Sequence, residues 1–273
     1  MKSKERMDLA LWAADLAKKK GANDAAVGIS NQREIEVEYR DGQVDKLKES
    51  AQNSLSVSVY VDGRYSSHST NDLRKESLTG FIEEAVAMTR FLSQDPFRAL
   101  PDPKYYEGRS DVDLGALDPG YAGLDSAGRV RLAKEIEEAA RAVSDKIVSA
   151  TAGYGDTYSE SVRVHTNGFS GERVSTMFGA GAEVSVRDPA GGLPEDWYYA
   201  SVRKHGELPD AKTLGETAAN RALAKIGQGK IDSGKYDMLV ENRSTPHLLS
   251  GLTGAMSGRA LQQKSSFLDG MLD

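Results

Sequence analysis

Three dipeptides set the tightest limits on what this chain can fold into: Asp41-Gly42, Asp62-Gly63 and Asn167-Gly168. Each lies between stretches in which apolar and polar residues alternate. In that setting the pair forms the tight turn of an antiparallel hairpin, since Asp, Asn and Gly are the residues that best tolerate positive φ. Ile35, Val37 and Tyr39 alternate with Glu34, Glu36 and Glu38, and Val44 to Lys48 returns beyond the first turn. Leu55, Val57, Val59 and Val61 keep period two up to the second turn, after which Arg64 to Ser69 pairs back. The third turn joins Glu160–Thr166 to Phe169–Phe178, followed by Ala180–Arg187 and Trp197–Lys204, while Ala25–Ile29 and Ile147–Ala152 read as short buried strands.

Helical spacing accounts for much of the remainder. Met7–Lys20 puts Leu9, Trp12, Ala13 and Leu16 on one face and ends at Gly21 after three lysines suited to the negative end of a helix. Further helices are predicted over about 73–92, 126–143 and 211–226, and the Pro- and Gly-broken stretch Ser93–Asp125 reads as a surface connector. The order helix, buried strand, hairpin, further strands, helix thus occurs twice. The expectation is an α+β fold with antiparallel or mixed sheets flanked by helices. Residues 1–230 form its N-terminal domain, with similar units at about 1–95 and 125–230 that share or stack their sheets. A duplication and a chance succession of meanders flanked by helices both fit this order.

Residues 231–273 read as the start of a second, C-terminal domain. A strand Tyr236–Glu241 leads into a helix opened by Pro246, whose fixed φ suits the first turn. Leu248, Leu249, Leu252, Ala255, Met256 and Ala260 recur at helical spacing, yet Gly251, Gly254 and Gly258 interrupt them, each costing about 1 kcal/mol relative to alanine. Such glycines suit a helix pressed against a sheet, a cleft or a partner. No later strands complete the sheet that 236–241 should join, so a truncated chain is expected.

Lys plus Arg total 35 against 41 Asp plus Glu, a net charge of −6, with no concentrated basic face for nucleic acid. There is no cysteine, hence no disulfide or thiolate metal site, which fits a reducing compartment. Asp8 and Asp15 interrupt the only N-terminal apolar stretch, and no run suits a membrane span. A cytoplasmic location is expected.

Among possible sites, His68, His165, His205 and His247 show no ligand spacing on one element. His247, near the start of the glycine-rich helix, is a candidate for orienting a peptide, with a solvated surface histidine as the plainer reading. Gly229 to Lys235 approaches phosphate-loop spacing, but Tyr236 stands where Ser or Thr should bind magnesium and a strand follows where a helix should. Gly168-Phe169-Ser170-Gly171 lacks the spacing of a nucleophile elbow. Trp197 and Tyr199 point to one side of their strand and Tyr198 to the other, so one side is core and the other a candidate interface or peptide-binding face.

The runs KYDMLVEN and SGRALQQKSSFLDGMLD, with YGDTYSESVRVHTNGFSGE, DWYYASVR and VDGRYSSHSTNDL upstream, resemble the TldD/PmbA family along the whole chain. In the TldD branch of that family the corresponding helix carries His-Glu-x-x-x-His, two zinc ligands and a general base. Registered on Lys264, those places fall on Ser250, Gly251 and Ala255. The resemblance therefore implies the PmbA branch, also called TldE: a metal-free subunit with no cofactor of its own, paired with a TldD-like zinc peptidase that matures or degrades unfolded peptides. Lys264 and Ser265 would then face the same cleft as the helix. A stand-alone homodimer that binds peptides or a regulatory partner, in keeping with the family's label as modulator of DNA gyrase, is the alternative.

Overall fold

A computed structural model describes residues 2–110 and 112–271. They fall into two units, Met1–Gln228 and Gly229–Asp273. The first contains α1 (Ser3–Lys19), β1 (Asp24–Arg40), β2 (Gln43–Val61), β3 (Arg64–Thr70), α2 (Lys75–Thr89), α3 (Ser126–Arg141), β4 (Ile147–His165), β5 (Ser170–Val186), β6 (Glu195–Val202) and α4 (Ala211–Leu223). Its strands form one sheet in the order β3-β2-β1-β4-β5-β6, antiparallel at every pairing. Helix, two long strands, a short strand and a helix occur twice, and the halves share the sheet through β1 and β4 at its centre.

The turns carry out what their residues require. Asp41 and Gly42, with φ of 50° and 77°, and Asp62 and Gly63, with 48° and 73°, form two-residue hairpin loops whose double positive φ matches the strand twist. The third turn differs from the two-residue expectation: Gly168 donates to the His165 carbonyl, His165 donates to Phe169, and only Gly168 is left-handed, giving a three-residue loop with a bulge.

The separate short strands expected at 25–29 and 35–39, at 44–48 and 55–61, at 147–152 and 160–166, and at 169–178 and 180–187 are each one continuous strand of 17 to 19 residues. All four helices of this unit pack on one face of the sheet, over two apolar clusters. One gathers Ala10, Ala13 and Leu78 against Val27, Leu55 and Val59; the other gathers Ile136, Leu214 and Ala218 against Ile35, Phe178 and Val184. Between them runs a polar seam. Arg6 of α1 pairs with Glu160 at 2.6 Å, and the Tyr158 hydroxyl donates to Glu160. Tyr121 stacks on Tyr158, while Arg129, Tyr121 and Tyr154 all donate to Asp156, whose side chain is 0% exposed. This seam is why the alternation of apolar residues lapses in mid-strand.

The connector crosses the opposite, open face at the end of the sheet that carries the 62–63 and 166–168 turns. Arg98 stacks on Tyr65, the Tyr106 hydroxyl meets His165 Nδ1 at 3.0 Å, and Arg109 donates to the Ser170 carbonyl. It then returns to the helix face, where the Ala116 carbonyl accepts from Thr176 and Tyr121 is buried. Far from merely running over the surface, this segment supplies core and seam.

The second unit contains α5 (Thr245–Ala255) and α6 (Gly258–Gln262). Pro246 occupies the first turn of α5 as expected. Residues 236–241 are not a strand, because among the described residues of this unit no other strand offers their backbone groups a ladder. The single helix expected through Ala260 breaks at Met256–Ser257, where the Ser257 hydroxyl accepts from the Ala260 N–H and caps α6 instead. Leu248, Leu249, Leu252 and Met256 are exposed, and only Ala255 of the expected apolar stripe is buried.

Candidate functional site

Ser250, Gly251 and Ala255, which the resemblance sets at the ligand places of a zinc helix, all lie on α5. Ser250 and Gly251 are exposed, Ala255 is buried, and the Ser250 hydroxyl donates to the His247 carbonyl one turn back. A hydroxyl, a hydrogen and a methyl group supply neither imidazole nor carboxylate, so this donor set does not fit a zinc ion. Within its unit Gly251 has no atom near the place where a Cβ would stand, and the same is true of Gly254 and Gly258. His247 is exposed in the first turn of α5. Lys264 ends α6 in the left-handed conformation, φ 52°, and Ser265 follows with its N–H on the Ala260 carbonyl. Leu272 and Asp273, the end of the resembling run, lie outside the described residues.

The histidines of the first unit stay apart. His68 accepts or donates at Ser66 and packs edge-on to Phe81 on the helix side. His165 lies on the open side under Tyr106, where burial and the charge of Arg163 hold its imidazole below the usual range. His205 packs against Phe178 and Tyr154. Among the described residues no three His, Cys, Asp or Glu side chains converge as a metal site, and no helix is long and apolar enough to cross a membrane.

Trp197 and Tyr199 fare differently. Alternation along β6 sends Tyr198 to the helix side, under Arg221, and brings Trp197 and Tyr199 together on the open face with ring centroids 6.1 Å apart. Register then sets Tyr199 opposite Gly181, Gly181 opposite Gly153, and Gly153 opposite Glu38. The Tyr199 ring lies across both glycines: a Cβ on Gly181 would come within 2.8 Å of its Cδ1, and one on Gly153 within 3.4 Å of its Cε1. Beside the ring is a trough of about 590 Å³, floored by Gly153, Gly155 and Gly179 and rimmed by Glu36, Glu38, Lys46 and Glu183. Burial, then the charges of Glu183 and Glu38, pushes the Tyr199 phenol up. Sequence reading found the aromatic pair but missed the trough; four strand glycines without a turn to explain them were the available signal.

Comparison with known proteins agrees with this architecture. A model described as PmbA/TldA metallopeptidase domain 1 matches residues 25–89, and one described as the PmbA/TldA metallopeptidase central domain matches residues 121–226. The chain is 26% identical to metalloprotease PmbA of Escherichia coli O157:H7 over 257 residues, and 24% identical to the Haemophilus influenzae PmbA homologue over 267. Each match takes in 94% of this chain but only 56% of the relative, so the chain spans little more than half their length. Among solved structures, a candidate modulator of DNA gyrase from Bacteroides thetaiotaomicron superposes with a TM-score of 0.91 at 36% identity, covering 98% of this chain and 61% of that one. TldE from Thermococcus kodakarensis, at 16% identity and a TM-score of 0.75, shares the fold over 96% of this chain and 58% of its own. Since the two family models together take in more than half of the sequence and the relatives align along nearly all of it, the chain belongs to the PmbA/TldD family of metallopeptidase-related proteins.

Proposed function

We propose that this chain acts as the non-catalytic, TldE-like subunit of a TldD–TldE-type zinc metallopeptidase that handles unfolded peptides. The observation that supports this reading is α5, whose Ser250, Gly251 and Ala255, set by the resemblance at the places of a His-Glu-x-x-x-His set, offer no imidazole or carboxylate as zinc ligand or general base. The names of its relatives, metalloprotease PmbA and TldE, support a role within a peptidase. In this reading the TldD-like partner supplies zinc and the proton-transfer group. The present chain pairs with it, encloses the catalytic chamber and holds peptide in an extended form.

Co-expression of the tagged chain with a subunit bearing His-Glu-x-x-x-His, followed by native purification and metal analysis, tests this. The complex is expected to carry zinc and cleave unfolded peptides, and the chain purified alone to do neither. Stoichiometric zinc in the isolated chain overturns the assignment. A stable homodimer that ignores the zinc subunit supports instead a free-standing peptide- or partner-binding protein.

A further inference from the structure

The four glycines of the trough region have different reasons to be glycine. Gly153 meets the Tyr199 ring at ordinary contact distance, 3.4 Å for an added Cβ, and Gly181 is explained inside the protein, because its Cβ would strike the Tyr198 carbonyl oxygen and the Tyr199 Cα. Gly155 and Gly179, directly opposite each other in the β4–β5 ladder, are not. A methyl group added at Gly155 would meet nothing nearer than the Ile35 carbonyl oxygen at 3.5 Å, and one at Gly179 nothing nearer than the Ala200 carbonyl oxygen at 3.8 Å, both ordinary contacts. A strand gives up backbone entropy and side-chain packing for such residues, and where no internal neighbour requires them they mark close approach by another backbone. The pair leaves a bare patch of main chain beside an aromatic ring.

Charge defines what can lie there. Glu36 is matched by Lys46 at 2.7 Å and Lys48 at 3.9 Å, and Glu38 shares Lys46 at 3.5 Å. Glu183 makes no ion pair among the described residues and is exposed at the rim. The trough therefore presents two incompletely neutralised carboxylates, Glu38 and Glu183, near the partly exposed Tyr199 ring, with Trp197 next to it. Carboxylates flanking an aromatic face complement a guanidinium or ammonium group, which gains ion pairing and cation–π attraction together.

We propose that this trough docks an extended, basic segment of the peptide handled by the protein. The segment's backbone lies on Gly155 and Gly179, and an arginine or lysine side chain enters between Glu38 and Glu183 against Tyr199. The inference rests on the reading that this chain handles peptides, but needs neither the zinc subunit nor cleavage.

Fluorescence anisotropy of short labelled peptides, alternating Gly-Arg or Gly-Glu, titrated with the full chain is the test. The Gly-Arg peptide is expected to bind and the Gly-Glu peptide not to. Gly179→Ala and Gly155→Ala, which leave the charge untouched, should each weaken binding about tenfold or more, with thermal midpoints equal to or above that of the parent chain. Glu183→Gln should weaken it as well. Failure of the parent chain to bind the Gly-Arg peptide overturns the proposal. So does equal affinity in parent and alanine variants, which would mean diffuse attraction to an acidic protein. If the chain still assembles with a zinc subunit in either case, the trough is rejected and the subunit role stands.

Discussion

Gly215 and Gly80 are both helical glycines, and the structure gives them opposite fates on replacement by alanine. Alanine is favoured over glycine inside a helix by about 1 kcal/mol, so on propensity alone both changes stabilise. Gly80 sits on the exposed side of α2 with nothing within 4 Å of an added Cβ, and the full gain of about 1 kcal/mol is expected there. Gly215 is buried in α4, where it packs against α3. Its Cβ would stand 2.7 Å from the Ala140 nitrogen and 3.0 Å from the Ala139 Cβ, and closer still to the Ile136 carbonyl oxygen. Comfortable separations for such atoms begin near ~3.5 Å, so the helices must part by more than about half an ångström. That displacement loosens Ile136, Ala140, Leu214 and Ala218, all fully buried in one cluster. Overpacking of this kind costs about 1–3 kcal/mol, and because two rigid backbones collide the upper part of that range applies. Subtracting the propensity gain leaves Gly215→Ala destabilised by about 1–2 kcal/mol, or roughly 2–8 °C in Tm for a unit of this size. Urea denaturation followed by circular dichroism, with Gly80→Ala as the matched control, reads the difference directly. A Gly215→Ala variant as stable as Gly80→Ala would refute the close helix approach and the reasoning built on it.

Asp156→Ala removes the acceptor shared by Arg129, Tyr121 and Tyr154 and leaves a guanidinium only 3% exposed without its partner. A loss of about 3–5 kcal/mol is expected in the same assay, and a loss below about 1 kcal/mol would show that the seam is hydrated. The same aspartate, after burial, raises the Tyr121 phenol to about 12, so ultraviolet titration should show Tyr121 ionising well after exposed tyrosines, and Tyr121→Phe should delete that late step. His165 is held below its ordinary value of 6.5 by burial and by Arg163. On acidification the unfolded chain therefore takes up this proton first, and stability falls as pH drops below about 6.5 until the folded imidazole also titrates. Urea midpoints measured between about pH 7 and 5 should show that decline, reduced in His165→Gln.

Local chemistry was legible before any coordinates. Asp-Gly at 41–42 and 62–63 announces its hairpins because positive φ at consecutive residues is a property of the backbone itself, needing no distant partner. The four helices of the first unit were visible for the same reason: their alanine and leucine stripes repeat within a single turn or two. The long strands were not visible as units. Arg33, Asp156, Tyr158 and Glu160 interrupt the alternation where the polar seam passes between the two cores, and nothing nearby in sequence says that the strand continues beneath it. Residues 236–241 fail in the reverse sense, with a strand-like pattern but no ladder to join among the described residues.

The proposed branch reading needs no tertiary structure: it rests on the family resemblance, which sets Ser250, Gly251 and Ala255 at the ligand places, and serine, glycine and alanine cannot act as imidazole or carboxylate whatever their surroundings. The trough depended on tertiary structure. Gly153 and Gly155 come from β4, Gly179 and Gly181 from β5, Tyr199 from β6 and Glu38 from β1, and only strand register aligns them. Alternation tells a residue which side of its own strand it occupies. Which residue of another strand stands beside it is set by long-range pairing, and a single-residue slip would turn Tyr199 away from the glycines it now covers.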